Sequence, residues 1–190
     1  MKICVFCGSS VDLEPKHYES AAKTGKLIGK AGHAIIYGAG QIGIMGALAA
    51  AAQKEGAYIT GVIPAKLNIK GVVSQYDDKL IITKDMKERK ALMRQKADAF
   101  LALPGGFGTL EELLEVITLK QLQYHSKAIV ILNIQGCYDA LIQHFENIFR
   151  QGFANKNYRS LYTVHTSEEA AIRAIDTYKH NPVFDKYLKK

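Results

Sequence analysis

The sequence predicts an α/β fold: a doubly wound parallel sheet in a three-layer αβα arrangement, as a single domain over residues 1–190. Three observations lead there. Short apolar runs alternate with helical patterns along the chain, glycine-rich turns fall where strands give way to helices, and 190 residues suffice for one core. With 48% hydrophobic and 23% charged residues and only four prolines, the composition is that of a globular chain and not of a disordered one.

Each element has its own signal. Met1-Lys2-Ile3-Cys4-Val5-Phe6-Cys7 opens as a strand, its apolar run too short for a secretory signal. Pro15 to Ala31 follows as a helix, with proline in the first turn and Gly32 beyond the last. Ala34 to Tyr37 is the second strand, leading through glycines into an alanine-rich helix from about Ile44 to Lys54 whose small side chains suit close packing. Tyr58 to Ile63 is the third strand. Pro64 to Asp78 has weak periodicity and reads as a loop, over a ligand or over a sheet edge. Order resumes with the strand Lys79 to Thr83, the helix Met86 to Ala97, the strand Ala99 to Leu103 and a helix from about Thr109 to Tyr124. The strand Ala128 to Leu132 comes next, then helices near Tyr138 to Gln151 and Ser167 to Tyr178 around a short strand at Leu161 to Val164. Doubly wound sheets bind ligands beyond the carboxyl ends of their strands, where the glycine-rich turns of this chain fall.

Composition narrows the function. Twenty-five Lys and Arg against 18 Asp and Glu give a net charge of +7, which suits small phosphorylated ligands, although part of it sits in Lys179, Lys186, Lys189 and Lys190 near the terminus. No nucleic-acid-reading module accompanies the charge, so no nucleic acid partner is expected. No apolar stretch approaches a membrane span, and a soluble cytoplasmic protein is expected. Cys4 and Cys7 form C-x-x-C within a strand rather than at a helix start, which favours structural thiols over a redox pair, and Cys137 has no obvious partner. The six His show no His-x-x-x-His spacing, and no metal is expected.

Three segments carry candidate chemistry. Gly38-x-Gly40-x-x-Gly43 matches the dinucleotide fingerprint, yet Tyr58 to Ala65 lacks the acidic residue that would hold a ribose hydroxyl. A tight turn near some other ligand, or glycines for helix packing, fits better. Pro104-Gly105-Gly106-Phe107-Gly108-Thr109-Leu110-Glu111-Glu112 lies between a buried strand and a helix. Its glycines let the backbone approach a phosphate, the helix start offers unpaired N–H groups, and the P-loop lysine of a triphosphate site is missing. Thr109 and Glu112 also have capping-box spacing, a role that would tolerate Gln at position 112, but three acids (Glu111, Glu112, Glu115) exceed what a cap needs. In Met86-x-Glu88-Arg89-Lys90, Met86, Met93 and Ala97 share one helix face with Lys90 inside its arc and Arg89 on its flank. Those cations need an anion or carboxylate, unless their heads snorkel to water.

Together, Phe6-Cys7-Gly8-Ser9-Ser10, the Tyr37 to Gly46 turn, Met86-x-Glu88-Arg89-Lys90 and Pro104-Gly105-Gly106-x-Gly108-Thr109-x-x-Glu112 closely resemble the LOG ("lonely guy") family of cytokinin riboside 5′-monophosphate phosphoribohydrolases, members of which are often labelled lysine decarboxylases. The likeness runs from Lys2 to about Leu132. It implies a Rossmann-like homodimer that, without any cofactor, cleaves adenosine monophosphate or its N6-prenylated forms to free base and ribose 5-phosphate. It also implies that Arg89 and Glu112 are catalytic. Substrate contacts are expected from Gly8, Ser9, Gly40, Gly43, Met86, Lys90, Gly105, Gly106, Phe107, Gly108, Thr109, Leu110, Glu111 and Thr118. Two departures stand out: Gly71 occupies a position where the family commonly has Glu, and Gly38-Ala39-Gly40 replaces three consecutive glycines. A nucleosidase indifferent to the base and a non-catalytic nucleotide or cofactor carrier are the alternatives. Decarboxylation is disfavoured, because no lysine stands in a context that marks a pyridoxal Schiff base.

Overall fold

Among the described residues seven short strands form the sheet, and the five inner ones, rich in Ile, Val and Ala, are apolar on both faces, the pattern of a sheet covered on both sides by helices. The seven are β1 (Lys2–Phe6), β2 (Ala34–Tyr37), β3 (Ile59–Pro64), β4 (Lys79–Thr83), β5 (Ala99–Ala102), β6 (Ala128–Leu132) and β7 (Thr163–His165). The computed structural model describes residues 1–182; Lys186, Lys189 and Lys190 of the basic tail lie outside the described residues. All pairings are parallel, in the order β4-β3-β2-β1-β5-β6-β7. The order reverses between β1 and β5, whose registers align Phe6 with Ala102, so the crevice of a doubly wound sheet opens at their carboxyl ends.

Alternate residues of the inner strands face two separate cores. On one side α1 (Pro15–Lys30), α2 (Gly43–Lys54) and α6 (Glu168–Asp176) bury Ile28, Leu48 and Ile172 against Ile3, Val5, Tyr37 and Leu101. On the other, α3 (Met86–Lys96), α4 (Phe107–Gln121) and α5 (Asp139–Arg150) bury Met93, Val116 and Phe145 against Cys4, Phe6, Phe100 and Ile131. Full burial of one such aliphatic or aromatic side chain contributes about 1.5–3 kcal/mol. The small residues of α2 serve a helix contact as well as the sheet: a Cβ at Gly25 of α1 would come 2.2 Å from the carbonyl oxygen of Leu48.

Element types follow the sequence reading, and some boundaries move. α4 begins at Phe107 with Gly106 as its N-cap, rather than at Thr109, and ends at Gln121. The last strand starts at Thr163, because Lys156–Leu161 forms a short 3-10 turn. Pro64 to Asp78 is a loop apart from a single turn at Ala65–Leu67, and it is tied to the β2 turn: Gln41 N donates to Val72 O (2.8 Å) and Ser74 N to Ala39 O (2.9 Å). Among the described residues no helix is long and apolar enough to cross a membrane.

Candidate active site

The carboxyl ends of β1, β2, β3 and β5 surround a cavity of about 830 Å³. That size lies within the range of small-molecule sites. The β1 loop supplies Gly8 and Ser9, the β2 turn supplies Gly38 and Gly40, and the β5 loop supplies Gly105 to Thr109. Arg89 enters from α3 and Glu112 from the second turn of α4.

Arg89 and Glu112 form the polar centre of this cavity. Arg89 Nη1 donates to Glu112 Oε1 at 3.0 Å, and Arg89 Nε donates to the carbonyl oxygen of Val62 at 3.0 Å. Their side chains are only 13% and 11% exposed, which decides that the pair is shielded rather than a solvated surface bridge. Burial pushes the Glu112 carboxyl above the usual range, with Glu111 adding to the rise, while the charge of Arg89 opposes it. A carboxylate in such a balance is poised to respond to charge appearing beside it.

Local sequence sets this geometry. Asp85 accepts from Glu88 N (2.8 Å) and caps α3, fixing the turn from which Arg89 projects. Gly38 leaves space for the guanidinium: a Cβ there would lie 2.2 Å from Arg89 Nη2. The first glycine of the apparent dinucleotide fingerprint thus seats an arginine. Gly43 has a left-handed φ of 66° and fits against the backbone of Ser9 and Ser10, where a Cβ would lie 2.6 Å from Ser10 O. Ala39, at the middle of the family's triple glycine, adopts φ 57°, a backbone that glycine reaches more easily. Gly71 is also left-handed (φ 86°) with open space around it, so a Glu on this backbone would be strained.

The start of α4 is built differently from a capped helix. The first intrahelical bond runs from Leu110 N to Gly106 O, so the N–H groups of Phe107, Gly108 and Thr109 precede it, and Gly106 provides no side-chain cap. The alternative reading of a capping box is therefore not met: Thr109 is buried with its hydroxyl against Gly105, and Glu112 turns to Arg89 instead. Gly106 and Gly108 are informative, because a Cβ at either would meet no protein atom within 4 Å. Packing does not demand glycine there, and both residues line the cavity.

The remaining expected contacts divide. Met86 is exposed at the cavity wall, not in the core with Met93 and Ala97. Gly43, Lys90, Leu110 and Thr118 do not line the cavity. Gly43 is spent on the β1 loop, Leu110 packs toward the core, and Thr118 lies exposed nearly two turns further along α4. Lys90 bonds Glu111 and lies 3.7 Å from Glu115, which in turn accepts from Arg94 Nη1 at 2.7 Å. Each acid of the α4 trio thus meets a cation of α3. Leu13, His17, Met45 and Cys137 line the cavity without having been singled out. Only the placement of His17 in the first turn after the central strand could have signalled it. Cys4 and Cys7 are buried free thiols held well above their ordinary pKa by burial, consistent with a structural role. Among the described residues no His, Cys, Asp and Glu cluster fit to hold a metal is found.

Comparison with known proteins agrees with this construction. Residues 45–175 match the family described as "possible lysine decarboxylase". The chain is 36% identical over its full length to cytokinin riboside 5′-monophosphate phosphoribohydrolase LOG7 of Arabidopsis thaliana, covering 86% of that protein. It is 34% identical over its full length to the probable phosphoribohydrolase LOGL6 of Oryza sativa subsp. japonica, covering 75% of it. Among solved structures, the molybdenum cofactor binding protein of Rippkaea orientalis shares the fold, with a TM-score of 0.71, 21% identity, and 93% and 95% of the two chains covered. The glycine loop before α4, the cation ladder on α3 and full-length identity to plant relatives lead to one conclusion: this chain belongs to the LOG family.

Proposed function

We propose that the protein hydrolyses the N-glycosidic bond of adenosine 5′-monophosphate, or of N6-modified forms such as cytokinin riboside 5′-monophosphates, to free base and ribose 5-phosphate. The observation that carries this reading is the shielded Arg89–Glu112 pair facing a cavity beside the uncapped start of α4. The names and full-length identity of the plant relatives support it.

The chemistry follows from these groups. A 5′-phosphate accepts hydrogen bonds from the N–H groups of Phe107, Gly108 and Thr109, at the positive end of the α4 dipole. That grip supplies binding energy remote from the bond that breaks. As the bond between C1′ and the base nitrogen lengthens, its electron pair passes to the base and positive charge builds on the ribose, as in other glycoside cleavages. The Glu112 carboxylate stabilises that charge and takes a proton from the water that adds to C1′; the departing base gains a proton. Arg89, anchored on Val62 O, keeps Glu112 ionised and oriented.

The reading includes a homodimer. At 100° per residue, Phe107, Leu114 and Thr118 share one face of α4; Phe107 is 91% and Leu114 is 41% exposed. A second copy on that face would cover both apolar residues, and Thr118 would reach a nucleotide only across such an interface.

Chromatography of metal-free incubations with AMP, isopentenyladenosine monophosphate, GMP, CMP and adenosine tests the activity. Base release from the adenine nucleotides, and not from adenosine, is expected. Tight retention of nucleotide with no release of base would instead mark a carrier, and activity of Glu112→Gln at the wild-type rate would refute the mechanism.

A further inference from the structure

A second cavity, of about 260 Å³, lies at the other end of α4, roughly 20 Å along the helix axis from the glycine loop. Lys120, Gln123, His125, Ser126 and Asn181 contribute to its wall, and among the described residues no carboxylate does. Lys120 is 6% exposed. Its Nζ donates to the carbonyl oxygen of Leu161 at 2.8 Å and sits 4.7 Å from the centre of the Tyr178 ring. An ammonium carries three donors, so this one bond leaves two unspent.

The contrast with the cations of α3 is plain. Arg89, Lys90 and Arg94 each face a glutamate, whereas among the described residues no carboxylate lies within ion-pair distance of Lys120. A buried charge without a counter-ion is costly, and burial draws the Lys120 ammonium down to about 8. His125 cannot compensate or compete. Its Nε2 donates to Val116 O (2.9 Å) and its Nδ1 accepts from Lys127 N (3.2 Å), which fixes a neutral ring, and burial holds its pKa near 4. The amides of Gln123 and Asn181 and the hydroxyl of Ser126 add neutral donors to the same wall.

We propose that this cavity is an accessory oxyanion site in which Lys120 pairs with a small carboxylate or phosphate, separate from the catalytic cavity. The anion supplies a counter-charge that no described carboxylate provides, accepts the two unspent N–H bonds and is limited in size by the cavity volume. Binding favours the protonated lysine, so the amine becomes a poorer nucleophile when the site is filled.

Competitive labelling of the full-length wild-type chain with trace acetic anhydride, read by peptide mass spectrometry, measures this directly. Acetate and inorganic phosphate are compared with chloride at equal ionic strength. At ten times its dissociation constant, a bound anion leaves about one molecule in eleven free, so Lys120 labelling falls about tenfold while exposed lysines such as Lys16 are unchanged. Protection by acetate alone identifies a carboxylate site, and protection by phosphate alone a phosphate site. Thermal unfolding supplies a second readout: the anion-dependent rise in Tm is expected to vanish in Lys120→Met and persist in Gly108→Ala, which separates it from phosphate held at the start of α4 in the catalytic cavity. Lys120 labelling that is identical in all three salts overturns the proposal.

Discussion

Arg89 Nη1 lies 3.0 Å from Glu112 Oε1 across the α3–α4 contact, and the same guanidinium is held from behind by Val62 O. The relationship ties the carboxylate proposed as catalytic to the sheet through one side chain. Glu112→Gln keeps the size and a neutral acceptor but loses the negative charge that a ribosyl cation needs. A fall in kcat of about 100- to 10,000-fold is expected, with little change in fold by circular dichroism.

The pair also predicts a pH dependence. Burial, then Glu111, raises the Glu112 pKa, and Arg89 restrains the rise. In the proposed mechanism the carboxylate is the active form, so activity is expected to fall as pH drops through that raised pKa, at a higher pH than for an exposed glutamate. Removing the cation removes the restraint. In Arg89→Ala, the acid limb of the kcat/KM profile is expected to move to higher pH as well as the rate falling; an unmoved limb would detach Arg89 from Glu112 ionisation.

Gly38 gives a test that acts through the placement of Arg89. Its missing Cβ makes room for Arg89 Nη2, so Gly38→Ala pushes the guanidinium away from Glu112. A misplacement of about 1 Å can cost about 100-fold in rate. The kcat of Gly38→Ala should fall by about 10- to 100-fold, and Gly38→Ala in an Arg89→Ala background should cost almost nothing further, which a double-mutant cycle measures.

Gly106 and Gly108 separate ligand space from protein packing. A Cβ at Gly108 meets no protein atom, and the residue lies in the first turn of α4, where alanine gains about 0.5–1 kcal/mol over glycine. Gly108→Ala should therefore hold or raise Tm while raising KM about tenfold. A variant that loses stability and keeps KM would place the phosphate elsewhere.

What the sequence disclosed follows from what is local. Strand and helix alternation fixes a parallel sheet, and the placement of glycines after β1, β2 and β5 locates the crevice, because both depend on neighbours in the chain. Arg89 and Lys90 could be read as seeking anions from helical periodicity alone. Their partners could not: that Glu112 goes to Arg89 while Glu111 and Glu115 go to Lys90 depends on how far α4 slides along α3. The start of α4 was displaced by two residues because Gly106 caps it without a side chain, leaving no chemical signature. Gly38 was legible as a glycine and illegible as a seat for a guanidinium 51 positions later.

A long-range pairing of the same kind governs the loop over the cavity. Tyr37 OH donates to Asp77 Oδ1 at 2.8 Å, while Asp77 Oδ2 is buried over Gly61 without a hydrogen-bond partner. Burial raises the Asp77 pKa from 3.8 to about 6, against the Tyr37 hydrogen bond, with Asp78 adding to the rise. The folded state therefore holds this proton more tightly than the unfolded chain, and the linked stability is present below pH 4 and lost as pH rises to about 6. The full shift would correspond to about 3 kcal/mol, but Asp77 is only partly buried and solvent screening reduces this to about 1 kcal/mol. Asp77→Asn has no such proton to lose. Thermal unfolding from pH 4 to 7 should show the wild type falling relative to Asp77→Asn by about 2–4 °C. Because Ser74 and Val72 bond the β2 turn at Ala39 and Gln41, loosening at Asp77 is transmitted to the cavity wall at Val72 and Gly40. Hydrogen exchange of residues 72–74 should quicken over the same pH interval in the wild type, beyond the intrinsic rate, and not in the variant.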